Sequence, residues 1–250
     1  MRKFVVLSTA RSGTNVLNSA LSQHDNCVSA GEYFDSECIP EIANRDGAEV
    51  AEELFANNQG ALAVGFKLFP FNATSPPLNS VWKYIQQPEV RVIHSMRHNT
   101  FRQILSHELG GLTGQWTSYN KAKSVPAKLY WPPGKWLEKI RQRRRREAEL
   151  WNHSKHNPYL RVFYEDLCRD YRHTMRSIWA FIGVPESDVL PRISKQNRKP
   201  LSDHILNLDE VRKFMDTTEY GWMLKAEDAP DIREVVTDLD GEPCFSDTNS

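Results

Sequence analysis

The chain has 250 residues and equal numbers of basic and acidic side chains, 32 lysines and arginines against 32 aspartates and glutamates. Zero net charge gives no global field to draw in nucleic acid, so any anion site must be local. No apolar run approaches the roughly 18 residues that a membrane span needs, and the length suits one α/β domain with a substantial core.

Residues 4–7 are apolar and partly β-branched, which predicts a buried strand. The stretch Ser8-Thr9-Ala10-Arg11-Ser12-Gly13-Thr14-Asn15 follows, and then a helix over 16–21, with Leu17, Ala20 and Leu21 at helical spacing. Strand, tight polar turn and helix together aim free N–H groups and the positive end of a helix dipole at one spot, which suits phosphate or sulfate. Gly13 permits close approach of an anion, and Arg11 adds a forked cation. Against the nucleotide loop G-x-x-x-x-G-K-[ST], Ser8 stands at the first glycine, Thr14 at the lysine and Asn15 at the magnesium hydroxyl. The loop can hold a phosphate but lacks the groups that handle a metal-bound triphosphate. Taken alone, it reads first as a strand-to-helix turn built from small polar residues. Arg2 and Lys3 ahead of an apolar run suggest a signal peptide, but the run is short and Arg11 interrupts it.

A short extended run from Cys27 bends at Gly31, with Glu32 directly after it. Residues 36–58 are expected to be helical. Residues 61–69 predict a second strand, with Lys67 near its end, where open α/β sheets place ligands. After a loop over 70–77, residues 81–85 suggest a short helix and 90–97 a third strand. A turn at His98-Asn99 leads into a helix over 100–107, repeating the strand, polar turn and helix, with Arg97 at the turn. Residues 110–133, with Trp116, Tyr119, Tyr130 and Trp131, are expected to form a long functional loop.

Residues 135–156 predict one long helix, with Trp136, Ile140, Glu147, Ala148 and Trp151 on one face. Its basic run, Arg141 and Arg143 to Arg146, is expected to be a solvated face. Residues 159–164 predict a fourth strand. Residues 171–182 predict an amphipathic helix closed by Gly183. Residues 195–200 form a basic loop, 205–215 a helix started near Asn207, and the acidic tail from Ala226 is expected to be loosely held. Cys27, Cys38, Cys168 and Cys244 are scattered without a C-x-x-C pair, as in a cytoplasmic protein with reduced thiols and no structural zinc.

Six features occur in order: Arg11-Ser12-Gly13-Thr14, Gly31-Glu32-Tyr33-Phe34, Gly65-Phe66-Lys67-Leu68, the Arg97 to Ser106 junction, Tyr164-Glu165-Asp166-Leu167, and the basic loop from Lys195 to Leu201. Together they resemble the sulfotransferases that use 3′-phosphoadenosine 5′-phosphosulfate (PAPS). The nearest likeness is to the bacterial carbohydrate type, the nodulation-factor and trehalose-sulfotransferase-like group. The resemblance runs from Phe4 to about Leu224. It implies a three-layer P-loop-like α/β fold, a central mainly parallel sheet flanked by helices, with one domain over 1–225 and an acidic tail over 226–250.

The resemblance also implies roles. Arg11, Ser12, Gly13, Thr14 and Asn15 would form the 5′-phosphosulfate loop, and Arg97 and Ser106 would hold the 3′-phosphate. The gap between that pair is one residue longer than in much of the wider family, which brings Asn99, Arg102 and His107 forward as substitutes for Ser106. Tyr164 would lie near the adenine, and Lys195, Arg198 and Lys199 would close over the nucleotide. Glu32 falls where the trehalose type carries a glutamate base.

Sulfuryl transfer, like phosphoryl transfer, is an in-line displacement governed by positioning and charge stabilisation. Fixed cations and N–H groups can absorb the leaving-group charge without a metal. Arg11 and the loop amides suit that role, assisted by Lys67, and Glu32 or His107 would take the proton of the acceptor hydroxyl. The acceptor is expected to be a small hydroxyl-bearing molecule or glycan; the sequence carries no motif for its identity or for oligomeric state. The rival readings are a kinase-like enzyme and a catalytically silent nucleotide-binding protein.

Overall fold

The computed structural model describes residues 1–116, 127–193, 199–226, 228 and 230. Among these residues five strands form, β1 (Arg2–Ser8), β2 (Cys27–Ser29), β3 (Ala63–Leu68), β4 (Val90–Met96) and β5 (Tyr159–Phe163). They make one wholly parallel sheet in the order β2-β3-β1-β4-β5. β1 and β3 carry near-continuous apolar runs because helices cover both faces of a parallel sheet. Gly65 lets these two strands pack: a Cβ there would lie 2.4 Å from the Phe4 carbonyl oxygen.

Side chains alternate between two clusters. Phe4 and Val6 pack with Leu17 and Leu21 of α1 (Thr14–Leu21) and with Ile178 and Trp179 of α7 (Tyr171–Ile182). Val5 and Leu7 pack on the other face with Val50 and Leu54 of α2 (Gly47–Ala56) and Val81 of α3 (Val81–Tyr84). The same cluster takes in Leu150 of α5 (Pro133–Ser154). A third cluster lies beyond the end of the sheet. It joins Phe101 and Ile104 of α4 (Thr100–Thr113), Trp136 and Ile140 of α5, Val211 and Met215 of α8 (Leu208–Met215), and Met223 of α9 (Trp222–Lys225). Between β5 and α7 runs α6 (Tyr164–Arg169). No helix among the described residues is long and apolar enough to cross a membrane.

The chain leaves β1 for β2, returns through β3, and then crosses to β4 and β5 on the other side. The topological switch is therefore at the carboxyl end of β1, where open α/β sheets bind ligands.

Several boundaries differ from expectation. Of residues 36–58 only a 3-10 turn at Pro40–Ile42 and α2 are helical, because Asp46 accepts hydrogen bonds from the N–H groups of Ala48 and Glu49 and starts the helix there. The expected loop at Gly110 begins later: α4 runs on to Thr113, with the Trp116 ring packed over Gly110. Residues 117–126 of that stretch, including Tyr119, lie outside the described residues. Ile205 is not in α8 but pairs with Leu129 as a parallel bridge. On α5 the buried stripe is Trp136, Ile140, Glu147, Leu150 and Ser154, whereas Ala148 and Trp151 are exposed. Gly183 does end α7, with φ of 72°.

Candidate active site

A cavity of about 620 Å³ opens beyond the carboxyl ends of the strands. Every strand supplies part of its lining through the segment that follows it: Arg11 and Gly13 to Val16 after β1, Glu32 after β2, Phe69 after β3, Arg97 after β4 and Tyr164 after β5.

The turn after β1 is held from below. Gln103 Nε2 donates to Thr9 Oγ1 (2.9 Å), the Ala10 carbonyl (2.9 Å) and Ser12 Oγ (2.7 Å). Ser12 Oγ itself donates to the Thr9 carbonyl at 2.8 Å. Thr9 also donates to buried Glu147, whose other oxygen lies 2.6 Å from His94 Nε2. Backbone φ is positive at Arg11 (70°) and Gly13 (85°), the alternation that turns successive N–H groups into an anion nest. Gly13 is required twice over. Its φ favours glycine, and a Cβ there would lie 2.5 Å from Tyr164 Cδ2. It stands at the N-cap of α1, whose first turn carries no acidic side chain, so the helix end faces the cavity with its positive charge uncompensated by one.

Arg11 Nε donates to Ser106 Oγ (3.0 Å) and its Nη1 to the Trp116 carbonyl (2.6 Å). Burial, with the charge of nearby Arg97, pushes the Arg11 guanidinium down to about 10. Crowded cations of this kind are stabilised by an anion between them.

Near the loop, buried Lys67 bridges two groups. Its Nζ donates to Asn15 Oδ1 at 2.8 Å and to Glu32 Oε1 at 3.0 Å. The side chains of Lys67 and Glu32 are 4% and 37% exposed, so the ammonium is enclosed while the carboxylate faces the cavity. Burial pushes the Lys67 ammonium down, opposed by the Glu32 charge. Gly31, with φ of 64°, supplies the bend that turns Glu32 inward. Its carbonyl accepts from Lys67 N at 2.6 Å, which ties the two turns together.

Arg97 and Arg102 occupy the side of the cavity fed by β4. Arg97 lies 4.6 Å from the Tyr164 ring centroid. Asp228 meets both arginines, at 3.3 Å from Arg97 Nη2 and 3.1 Å from Arg102 Nη1. Glu165 fixes the junction, accepting from His98 N at 3.0 Å and Asn99 N at 3.1 Å, with Arg97 Nε 3.8 Å away.

Of the expected site residues, Arg11, Gly13, Thr14, Asn15, Glu32, Arg97, Ser106, His107, Tyr164 and Lys199 line this one cavity. Ser12 is turned beneath the loop, and Lys67 lies behind the lining. Of the substitutes considered for Ser106, Arg102 stands beside Arg97. Asn99 is buried elsewhere, capping α4 and donating to the Met223 carbonyl. His107 sits 5.4 Å from the Trp116 ring, and burial with the charges of Arg143, Arg11 and Lys139 pushes it down to about 4. Lys195 and Arg198 lie outside the described residues.

The basic run of α5 is not wholly solvated, because two of its arginines point back over the sheet end. Arg143 donates to the Ala10 carbonyl (3.3 Å) and Arg144 to the His98 carbonyl (3.1 Å). Glu147, Gln103, Glu165 and Asp228 escape sequence reasoning as site residues. The one available signal was Glu147, a carboxylate on the apolar face of a helix, which must find partners when buried.

No family model matches the sequence, and no curated protein matches it. Solved structures do. A sulfotransferase from Alicyclobacillus acidocaldarius superposes with a TM-score of 0.50 at 17% identity, over 91% of this chain and 97% of that one. The chain has the sulfotransferase fold. More distant likenesses are the sulfotransferase domain of a Synechococcus olefin synthase (TM-score 0.47, 17% identity, 92% of this chain and 96% of that one). A mouse sulfotransferase complexed with PAP gives 0.44 at 16% identity, over 92% and 68%. In the sulfotransferase fold of this chain, the cavity occupies the switch point, and every motif read from the sequence contributes to its wall or support, except the part of the basic loop that lies outside the described residues.

Proposed function

We propose that the chain is a sulfotransferase that moves the sulfuryl group of PAPS to an acceptor hydroxyl, with Glu32 as general base. One observation carries the reading. A single cavity joins an anion nest bearing Arg11 to a separate two-arginine station at Arg97 and Arg102. PAPS carries anionic groups at both ends, a 5′-phosphosulfate and a 3′-phosphate, which fits two stations better than one triphosphate does. Thr14 and Asn15 replace the lysine and metal hydroxyl of a nucleotide-triphosphate loop, which favours the same choice over a kinase.

In this reading the acceptor oxygen attacks sulfur as the bond from sulfur to the bridging phosphate oxygen breaks. Negative charge grows on the departing phosphate, where Arg11 and the first-turn N–H groups of α1 stabilise it. Glu32 receives the acceptor's proton. Its ion pair with Lys67 weakens as it is protonated, which frees the ammonium to favour charge on the loop side, where Asn15 already holds it. His107 keeps less of a hold on a proton than an ordinary histidine, since burial and the charges of Arg143, Arg11 and Lys139 push it down.

The acceptor side would be formed by Phe69 and Phe71, stacked at 5.2 Å, with Asp35, Glu37 and Cys38. Aromatic faces beside carboxylate acceptors suit the C–H faces and hydroxyls of a sugar, in line with a carbohydrate or glycolipid.

The test is calorimetric titration with 3′-phosphoadenosine 5′-phosphate (PAP) against ATP–Mg, followed by single-turnover sulfation from labelled PAPS on a panel of glycans. Magnesium-independent binding of PAP and label transfer are expected. A preference for ATP–Mg would sink the reading.

A further inference from the structure

Arg97 and Arg102 share one carboxylate, that of Asp228, with a different oxygen on each guanidinium. The arginine side chains are only 9% and 16% exposed, and the Nε of each has no hydrogen-bond partner among the described residues. A guanidinium fork matches phosphate oxygens in pairs, and Asp228 is given one nitrogen of each fork as an ion pair. Asp228 lines the same cavity as the anion nest. It belongs to a segment, 226–250, with eight acidic residues against one arginine.

We propose that Arg97 and Arg102 form a clamp for a phosphomonoester, and that Asp228 is an internal competitor for it. This rests on the nucleotide reading above and adds Arg102 as the second half of the 3′-phosphate station. The competition follows from atom use: Arg97 Nη2 and Arg102 Nη1 hold the carboxylate and cannot turn fully to a phosphate at the same time. Two enclosed cations destabilise one another without an anion, and a tethered carboxylate supplies one at high effective concentration. A phosphomonoester brings nearly two charges and three acceptor oxygens, so it displaces the carboxylate, but its apparent affinity falls by the fraction of chains whose clamp is open. Glu165 stays beside Arg97 Nε at 3.8 Å and keeps that side chain in place when Asp228 leaves.

The experiment is calorimetric titration of the full chain and of Asp228→Asn and Asp228→Ala with PAP and with AMP, which has no 3′-phosphate. Both variants are expected to bind PAP about ten-fold more tightly, as removal of a competing ion pair predicts. AMP affinity should stay within about two-fold, since AMP has no group for the clamp. Adding Arg102→Gln should remove the gain, because the two residues act through one site. A parent chain that prefers PAP over AMP while both variants bind PAP equally or more weakly would overturn the competition and leave the nucleotide reading intact. A parent chain and variants that do not distinguish PAP from AMP would overturn the nucleotide reading, and the clamp with it.

Discussion

Glu32 and Lys67 meet only because the ends of β2 and β3 lie side by side, and their pairing at 3.0 Å defines what each can do. Glu32→Gln keeps size and a hydrogen bond to Lys67 but cannot take a proton. Turnover is expected to fall by about 10²-fold or more with PAP affinity within a few-fold, read by single-turnover sulfation beside calorimetry. A near-normal rate would transfer the role to His107. Arg11 differs, because in the proposed reaction its charge would matter most as the leaving group departs. Arg11→Ala should weaken PAP binding by about ten-fold or more and lower turnover further. Arg11→Lys should recover only part, since an ammonium cannot keep both the Ser106 and the Trp116 contacts in the geometry of the fork.

The decisive element is the β4–α4 junction. Two neighbouring N–H groups, of His98 and Asn99, end on the Glu165 carboxylate at the start of α6. Glu165→Ala leaves these donors without their acceptor, in a place where Asn99 is buried. That is expected to cost about 2–4 kcal/mol, measured by urea unfolding. It should also weaken PAP binding more than AMP binding, because Arg97 loses its neighbour. Glu165→Gln, which keeps acceptor capacity, should recover much of the stability and less of the nucleotide preference. The junction was legible in the sequence as strand, polar turn and helix, with Arg97 at the turn. Its dependence on Glu165 was not, since the partners are more than sixty residues apart.

At the scale of the whole molecule, the packing of α4 against α5 sets a pH dependence. His107 is held at about 4 in the folded chain against an ordinary 6.5. The unfolded chain therefore binds more protons between these values, and stability rises with pH across that window. The histidine's contribution is complete above about pH 6.5 and is lost as pH falls toward 4. His107→Leu should remove this part of the acid sensitivity. Urea unfolding at pH 7 and pH 5 is expected to show a smaller loss in the variant than in the parent, and equal losses would refute the assignment.

Local patterns were enough for the α/β class, four of the five described strands, the helix closed by Gly183 and the glycine turn between β1 and α1, because each depends on neighbours in the chain: apolar runs, helical spacing, a glycine at positive φ. Glu32, Lys67, Arg97 and Tyr164 were also legible as candidates, since each stands at the end of an extended run, where a parallel sheet presents side chains to a ligand. What surrounds them was decided only in three dimensions. The order β2-β3-β1-β4-β5 puts the switch point at the loop after β1 and brings Asn15, Lys67 and Glu32 into one chain of hydrogen bonds. Helix α5 crosses the sheet end so that Glu147 props the loop from below, and two arginines expected in solvent turn inward to backbone carbonyls. Asp228 reaches Arg97 and Arg102 from a tail whose sequence announces only negative charge. Burial and pairing across long separations in the chain leave no local periodicity, so no reading of neighbouring residues could have placed them.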